Sequence, residues 1–248
     1  MANQLWIGLV WKWSFKSLNN RIFSIDVLRS FGIVLMVVFH FIYDLRFFGY
    51  VEWNIPDGAG WRTFRHVILI AFFICLGASL HLSYQNSIDW KKFSKRLTQI
   101  LVSALAISFV SLAIVPNNYI YFGVLQFIAV ASLLSIMFAN KPRTSLSIGL
   151  FIIAIYNIGG VPGMWPFTYI QDYLPAYSND YVGLFPWLGV VFVGIWLAST
   201  SFVKKDPLQH LKTHTWMAFP GKHSLVIYLV HQPAFFAIFG LIAYFSEG

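Results

Sequence analysis

His40 lies in an apolar run, flanked by Val37, Val38, Phe39, Phe41 and Ile42. An imidazole is the side chain best suited to take up and return a proton near neutral pH. It can also carry an acyl group as a nucleophile. Within Arg21–Asp44, RIFSIDVLRSFGIVLMVVFHFIYD, three more polar groups recur at helical spacing: Asp26, Arg29 and Asp44. A helix turns about 100° and rises about 1.5 Å per residue. Arg29 and His40 therefore share a face, roughly 16 Å apart along the axis. Asp26 falls one turn before Arg29, and Asp44 one turn after His40. Ionisable groups at membrane depth are costly and turn toward a bundle interior or a wet cavity. Read as chemistry, His40 is a base or nucleophile, Asp44 orients its ring, and Arg29 is an anion site. The structural alternative is a packing histidine bonded to a backbone carbonyl or a tyrosine, with Asp26 and Arg29 neutralising each other.

A second set of polar residues sits in other apolar runs. His231, in KHSLVIYLVHQP, is followed by Gln232 and Pro233. The proline removes a backbone donor, and in a membrane such a kink is lined by protein or water. Gln126 reads equally as an interhelical hydrogen-bonding residue. No Walker loop or dinucleotide glycine fingerprint occurs. His81 and His231 have no ligands at short spacing, so no metal is expected. No apolar run holds a lysine suited to a Schiff base.

The elements that must position these groups are membrane helices. The chain is 58% hydrophobic and 10% charged, far from the roughly 25% charge of soluble domains. The class is all-α and polytopic, with the lipid bilayer as its first partner. Apolar spans are expected at 24–46, 64–85, 97–115, 119–139, 144–161, 181–201 and 222–246, about seven crossings. The fifth is the weakest, because Asn157, Gly159, Gly160 and Pro162 interrupt it. The 17 Lys and Arg against 9 acids do not point to nucleic acid, because they sit in short loops between spans. Fourteen fall on one side, among them Lys92, Arg96, Lys141, Lys205 and Lys222, and three on the other, Arg46, Arg62 and Arg65. That bias predicts a cytoplasmic N-terminus and an external C-terminus.

Residues 1–20 divide Gln4, Gly8, Lys12 and Lys16 from Trp6, Leu9, Val10 and Trp13, the pattern of an interfacial amphipathic helix. Residues 21–248 form one transmembrane domain. The expected outer loops, 47–63 and 162–180, are rich in Trp, Tyr, Pro and Gly, and Glu52 lies in the first of them. The single cysteine, Cys75, excludes an intrachain disulfide. No cleavable signal peptide is expected, since Lys12 breaks the early apolar run.

Three stretches carry a resemblance. Arg21–Asp44 resembles the first transmembrane helix of the heparan-α-glucosaminide N-acetyltransferase catalytic-domain family, with its R-x-x-S-[IL]-D-x-[LF]-R-G opening. Here Ser30 stands for the final Gly. YFGVLQFIAVA (Tyr121–Ala131) and GKHSLVIYLVH (Gly221–His231) are similar to two later helices of that family, and LFPWLGVVFVG (Leu184–Gly194) to a span of its shorter bacterial members. Arg29-x10-His40 also resembles the signature of related acyltransferases that modify cell-envelope sugars. In the lysosomal members the proposed catalytic histidine precedes a Trp-Asn pair. Here Trp53-Asn54 follows Tyr50, Val51 and Glu52 instead, so the base is His40, with Glu52 as the alternative.

The resemblance implies a membrane acyltransferase that uses acyl-CoA, with acetyl-CoA as the expected donor, and acts on an envelope sugar or glycolipid amine or hydroxyl. CoA phosphates would be held by Arg29, Lys92, Arg96 and Lys222, and the acceptor sugar by Trp53, Trp165 and tyrosines. The location implied is the bacterial inner membrane, and an oligomer is compatible with the sequence. The competing class is a small proton-coupled permease or lipid-carrier translocator, in which His40, Asp44 and His231 relay protons. Such transporters are often built from internal repeats, and none occurs here.

Overall fold

A computed structural model describes residues 21–246. The amphipathic helix expected over residues 1–20 lies outside the described residues. The described residues are all-α, without strands. The principal helices are α1 Phe23–Phe47, α2 Ala59–Tyr84, α3 Trp90–Ile114, α4 Val124–Ser135, α5 Pro142–Asn157, α6 Trp187–Ser199 and α7 Ser224–Ser246.

Each expected span has a helix at its place, but the lengths differ. Four helices (α1, α2, α3 and α7) are long and apolar enough to cross a bilayer, and α6 with Ser201–Leu211, bent by 60°, makes a fifth if taken as one span. The reasons are local. The 119–139 stretch gives up its first turn, and α4 starts only after Gly123, with Gln126 accepting the Gly123 amide (3.0 Å). α6 starts after Pro186 and stops at Thr200, and α5 ends at Asn157 after 16 residues.

The chain forms two compact units, Phe72–Thr200 and the segments on either side of it, up to Ala71 and from Ser201. Within the Phe72–Thr200 unit, α5 and α6 meet backbone to backbone. A Cβ on Gly149 would stand 2.8 Å from the Gly189 carbonyl, and one on Gly189 would stand 2.7 Å from that of Gly149. Small residues at membrane helix crossings permit this approach. Phe73 and Phe127, both fully buried, meet with ring centroids 4.2 Å apart.

The other unit is built around α1. No side chain near Ile22 caps this helix; the cap comes from far along the chain. The Asp206 carboxylate accepts the Phe23 and Ser24 amides, each at 2.8 Å, and the Ser24 hydroxyl. Ser24 Oγ in turn accepts the Leu208 amide at 3.0 Å. These contacts satisfy amides that a helix start leaves unpaired.

One turn on, the short helical turn Phe219–Lys222, whose Gly221 is buried, packs on α1. The Gly221 amide donates to Ser30 Oγ (2.8 Å), whose hydroxyl donates to the Asp26 carbonyl (3.0 Å). The serine that replaces the usual glycine of the motif therefore has a physical role: it supplies the acceptor for Gly221. α7, with Pro233 inside it, packs along the rest of α1.

Candidate active site

The imidazoles of His40 on α1 and His231 on α7 are brought together from 191 residues apart, His231 Nε2 lying 3.2 Å from His40 Nδ1. Their ring centroids are 4.8 Å apart, at 63°. Carbonyl oxygens only accept, and they assign the protons. His40 Nδ1 lies 3.0 Å from the Met36 carbonyl, and His231 Nδ1 lies 2.8 Å from that of Tyr228 and 3.1 Å from that of Ile227. Each Nδ1 therefore carries hydrogen. His231 Nε2 then presents a lone pair to His40, and the second lone pair is on His40 Nε2. Among the described residues no protein group bonds His40 Nε2. The arrangement can act as a base through His40 Nε2, with Nδ1 tied down.

The contact that Asp44 makes is with α7 rather than with His40. Asp44 is fully buried, and its Oδ1 accepts from Gln232 Nε2 at 2.8 Å. Asp44 Oδ2 and Gln232 Oε1 have no partner among the described residues. The His40 ring leans back toward Met36, as side chains on a helix do, while Asp44 turns to α7. The orienting contacts of His40 are therefore Met36 and His231.

At the other end of the stripe, Arg29 donates to Asp26 Oδ1 (3.1 Å), and the Arg21 guanidinium lies 4.0 Å from Asp26 Oδ2. The Arg29 side chain is 20% exposed and that of Asp26 8%. Two guanidiniums thus lie against the Asp26 carboxylate. Arg29 also reaches the Gly221 carbonyl at 3.5 Å, which places the exposed Lys222 beside this cluster. Asp206 occupies the start of α1, so an anion here meets side chains rather than free helix amides.

The other candidates separate from this group. Lys92 and Arg96, both exposed, lie on α3 in the Phe72–Thr200 unit. Gln126 lies there too and is used structurally, donating to the Ala104 carbonyl (3.1 Å) and Ser108 Oγ (2.8 Å) across α3 and α4. Glu52 is exposed in the loop after α1 and is bonded to neither histidine. Trp165 meets Phe185 at 5.5 Å. Tyr181 donates to the Gly163 carbonyl at 3.4 Å; burial, with Tyr121 and Tyr156 beside it, pushes its hydroxyl up to about 12. It is a donor throughout the physiological range.

Trp53, 52% exposed, stacks on Trp61 (5.9 Å, 25°). Trp61 meets Phe39 edge-on at 6.1 Å, and Phe39 meets the His40 ring at 5.7 Å. An aromatic series thus runs from the loop surface to the candidate base. Trp53 was visible in the sequence, whereas Trp61, Met36 and Asp206 were not singled out there and Gln232 was given no role. Gln232 stood next to His231 in the sequence, and that adjacency was the available signal.

Comparison with curated proteins and with solved structures returned no match. Residues 21–233 match the family described as heparan-alpha-glucosaminide N-acetyltransferase, catalytic, a range that takes in α1, the Gly221 turn and both histidines. With most of its length matched, this membrane protein belongs to the heparan-alpha-glucosaminide N-acetyltransferase catalytic-domain family, a family of acetyltransferases.

Proposed function

We propose that this chain is an acyl-CoA-dependent membrane acyltransferase of the bacterial inner membrane, which passes an acyl group, acetyl in the simplest case, from the cytoplasmic side to a sugar amine or hydroxyl facing outward. The observation that carries the reading is the state of His40: Nδ1 held by Met36 and His231, Nε2 left with a lone pair, on the same helix as Arg29. Arg29 and Lys222 suit a polyanionic donor, because both are cationic and Arg29 reaches the turn that carries Lys222. The spacing supports the division of labour. The roughly 16 Å rise between Arg29 and His40 is about the reach of a pantetheine arm, so phosphates at one end and thioester at the other suit a single donor.

In the reaction, His40 Nε2 takes the proton of the acceptor hydroxyl or amine as that atom bonds to the acyl carbon. The C–S bond breaks, and the thiolate takes the proton back from Nε2. Transfer through an acylated His40 balances in the same way, in two steps. Trp53 and Trp61 offer the acceptor ring an aromatic face at the loop end of the series that leads to His40.

Arg29→Ala is expected to weaken acyl-CoA binding by about tenfold or more and to make the remainder more salt-sensitive, since a charge-assisted, two-pronged contact is lost. Arg29→Lys should restore only part, because an ammonium does not copy the guanidinium fork. Isothermal titration with acyl-CoA checks this, and unchanged affinity in both variants would return Arg29 to its pairing with Asp26.

The orientation proposed is N-terminus inside and C-terminus outside, motivated by the basic-residue bias. A reporter fused after Gly248 should be external and one inserted near Lys205 internal. An internal C-terminal reporter would remove one of the short helices from the count of crossings.

A further inference from the structure

We propose that His231 is a positioning residue for His40: a neutral imidazole that does the work a carboxylate does in a Ser–His–Asp arrangement, accepting the Nδ1 proton of the base. The inference rests on the reading of His40 as that base. Three observations carry it. First, one hydrogen assignment satisfies the Met36, Ile227, Tyr228 and inter-histidine contacts together. It runs in one direction, from the Tyr228 and Ile227 carbonyls through His231 Nδ1–H and Nε2 to His40 Nδ1–H, and ends on the lone pair of His40 Nε2. Second, the Met36 contact is local to α1, one turn back, whereas the His231 contact comes from α7 and fixes the ring relative to a second helix. Third, the carboxylate nominated by spacing is engaged elsewhere, Asp44 being bonded to Gln232.

A neutral acceptor suits this depth. A carboxylate facing the base would have to be desolvated in the membrane, and an imidazole lone pair avoids that cost. The contact also strengthens when it is needed. As His40 gains a proton at Nε2, its Nδ1–H···Nε2 bond to His231 becomes charge-assisted, hence shorter and stronger. Stabilisation that grows with the developing charge acts on the transition state more than on the ground state.

The experiment is steady-state kinetics, per folded molecule, of His231→Leu and His231→Gln with acetyl-CoA and an amino-sugar acceptor, beside His40→Gln. His231→Leu should lower kcat by about 10- to 100-fold with KM for acetyl-CoA unchanged, because Arg29 and Lys222 are untouched. His231→Gln, whose side-chain carbonyl can accept the same proton, should recover most of that loss. A purely structural histidine predicts the opposite: both variants fold poorly, yet kcat per folded molecule stays within a few-fold of wild type. That result, or a glutamine variant no better than leucine, overturns the proposal.

The base reading fails separately. It is lost if His40→Gln keeps turnover, whatever His231 does. For variants that do not fold, nitrogen-15 NMR of histidine-labelled wild type in nanodiscs decides. Hydrogen-bond coupling between His40 Nδ1 and His231 Nε2 supports the pair, and a proton resident on His231 Nε2 without that coupling overturns it.

Discussion

His40→Gln is expected to lower acyl transfer per folded molecule by about 10²–10⁴-fold, with folded yield and acyl-CoA binding close to wild type. Glutamine has similar reach and can still donate to the Met36 carbonyl, so it keeps the packing bond that His40 Nδ1 makes. It has no basic nitrogen to replace Nε2, so proton transfer and any acyl-imidazole route are both lost. The alternative role is a structural bond, which is worth about 1 kcal/mol and would appear as lost stability with little loss of turnover. The two outcomes differ by orders of magnitude in kcat. A His40→Gln enzyme within a few-fold of wild type would end the assignment and leave Glu52 as the next candidate base.

Gly221→Ala is expected to cost stability rather than chemistry, by about 2–4 kcal/mol. A Cβ at this position would lie 2.2 Å from the Asp26 carbonyl oxygen and 2.9 Å from Ser30 Oγ. The first neighbour is helix backbone and cannot rotate away, so the Phe219–Lys222 turn must move off α1. Overpacking of this kind costs about 1–3 kcal/mol. The displaced Gly221 amide also loses Ser30, at about 0.5–1.5 kcal/mol. Thermal or denaturant unfolding in detergent reads this directly. Because Arg29 and Lys222 flank the same turn, acyl-CoA affinity should fall with it. A melting temperature equal to wild type would mean that the turn does not approach α1 as closely as 2.2 Å implies.

The polar stripe on α1 was legible because a single helix fixes the relative angles of its own residues. His40, Arg29 and Asp26 could be placed from spacing alone, and the Asp26–Arg29 pair follows from i,i+3 geometry. What spacing cannot supply is the partner from another element. His231 lies 191 residues from His40, Gln232 188 from Asp44, and Asp206 183 from Phe23. Each of these contacts decides a role. Asp44 looked like an orienting acid because it stands one turn above His40, yet α7 offers it an amide and offers the imidazole a lone pair. Gln126 had two readings in sequence, and the structure shows it making three bonds within α3, α4 and the turn before α4, as the structural reading expects. The helices were located by hydropathy, but their lengths were set by Gly123, Pro186 and the Asn157–Gly160 stretch, which apolar counting overran.

The competing permease reading and the transferase reading use the same two histidines and part company over what leaves the protein. The decisive measurement is made on proteoliposomes holding the purified chain in one orientation, with acetyl-labelled acetyl-CoA on the side of Arg29 and an amino sugar on the other. The account predicts labelled N-acetyl sugar on the acceptor side and free CoA on the donor side in equal amounts, with both absent in His40→Gln. Proton or sugar flux without acetylated product, unaffected by acetyl-CoA, would contradict it.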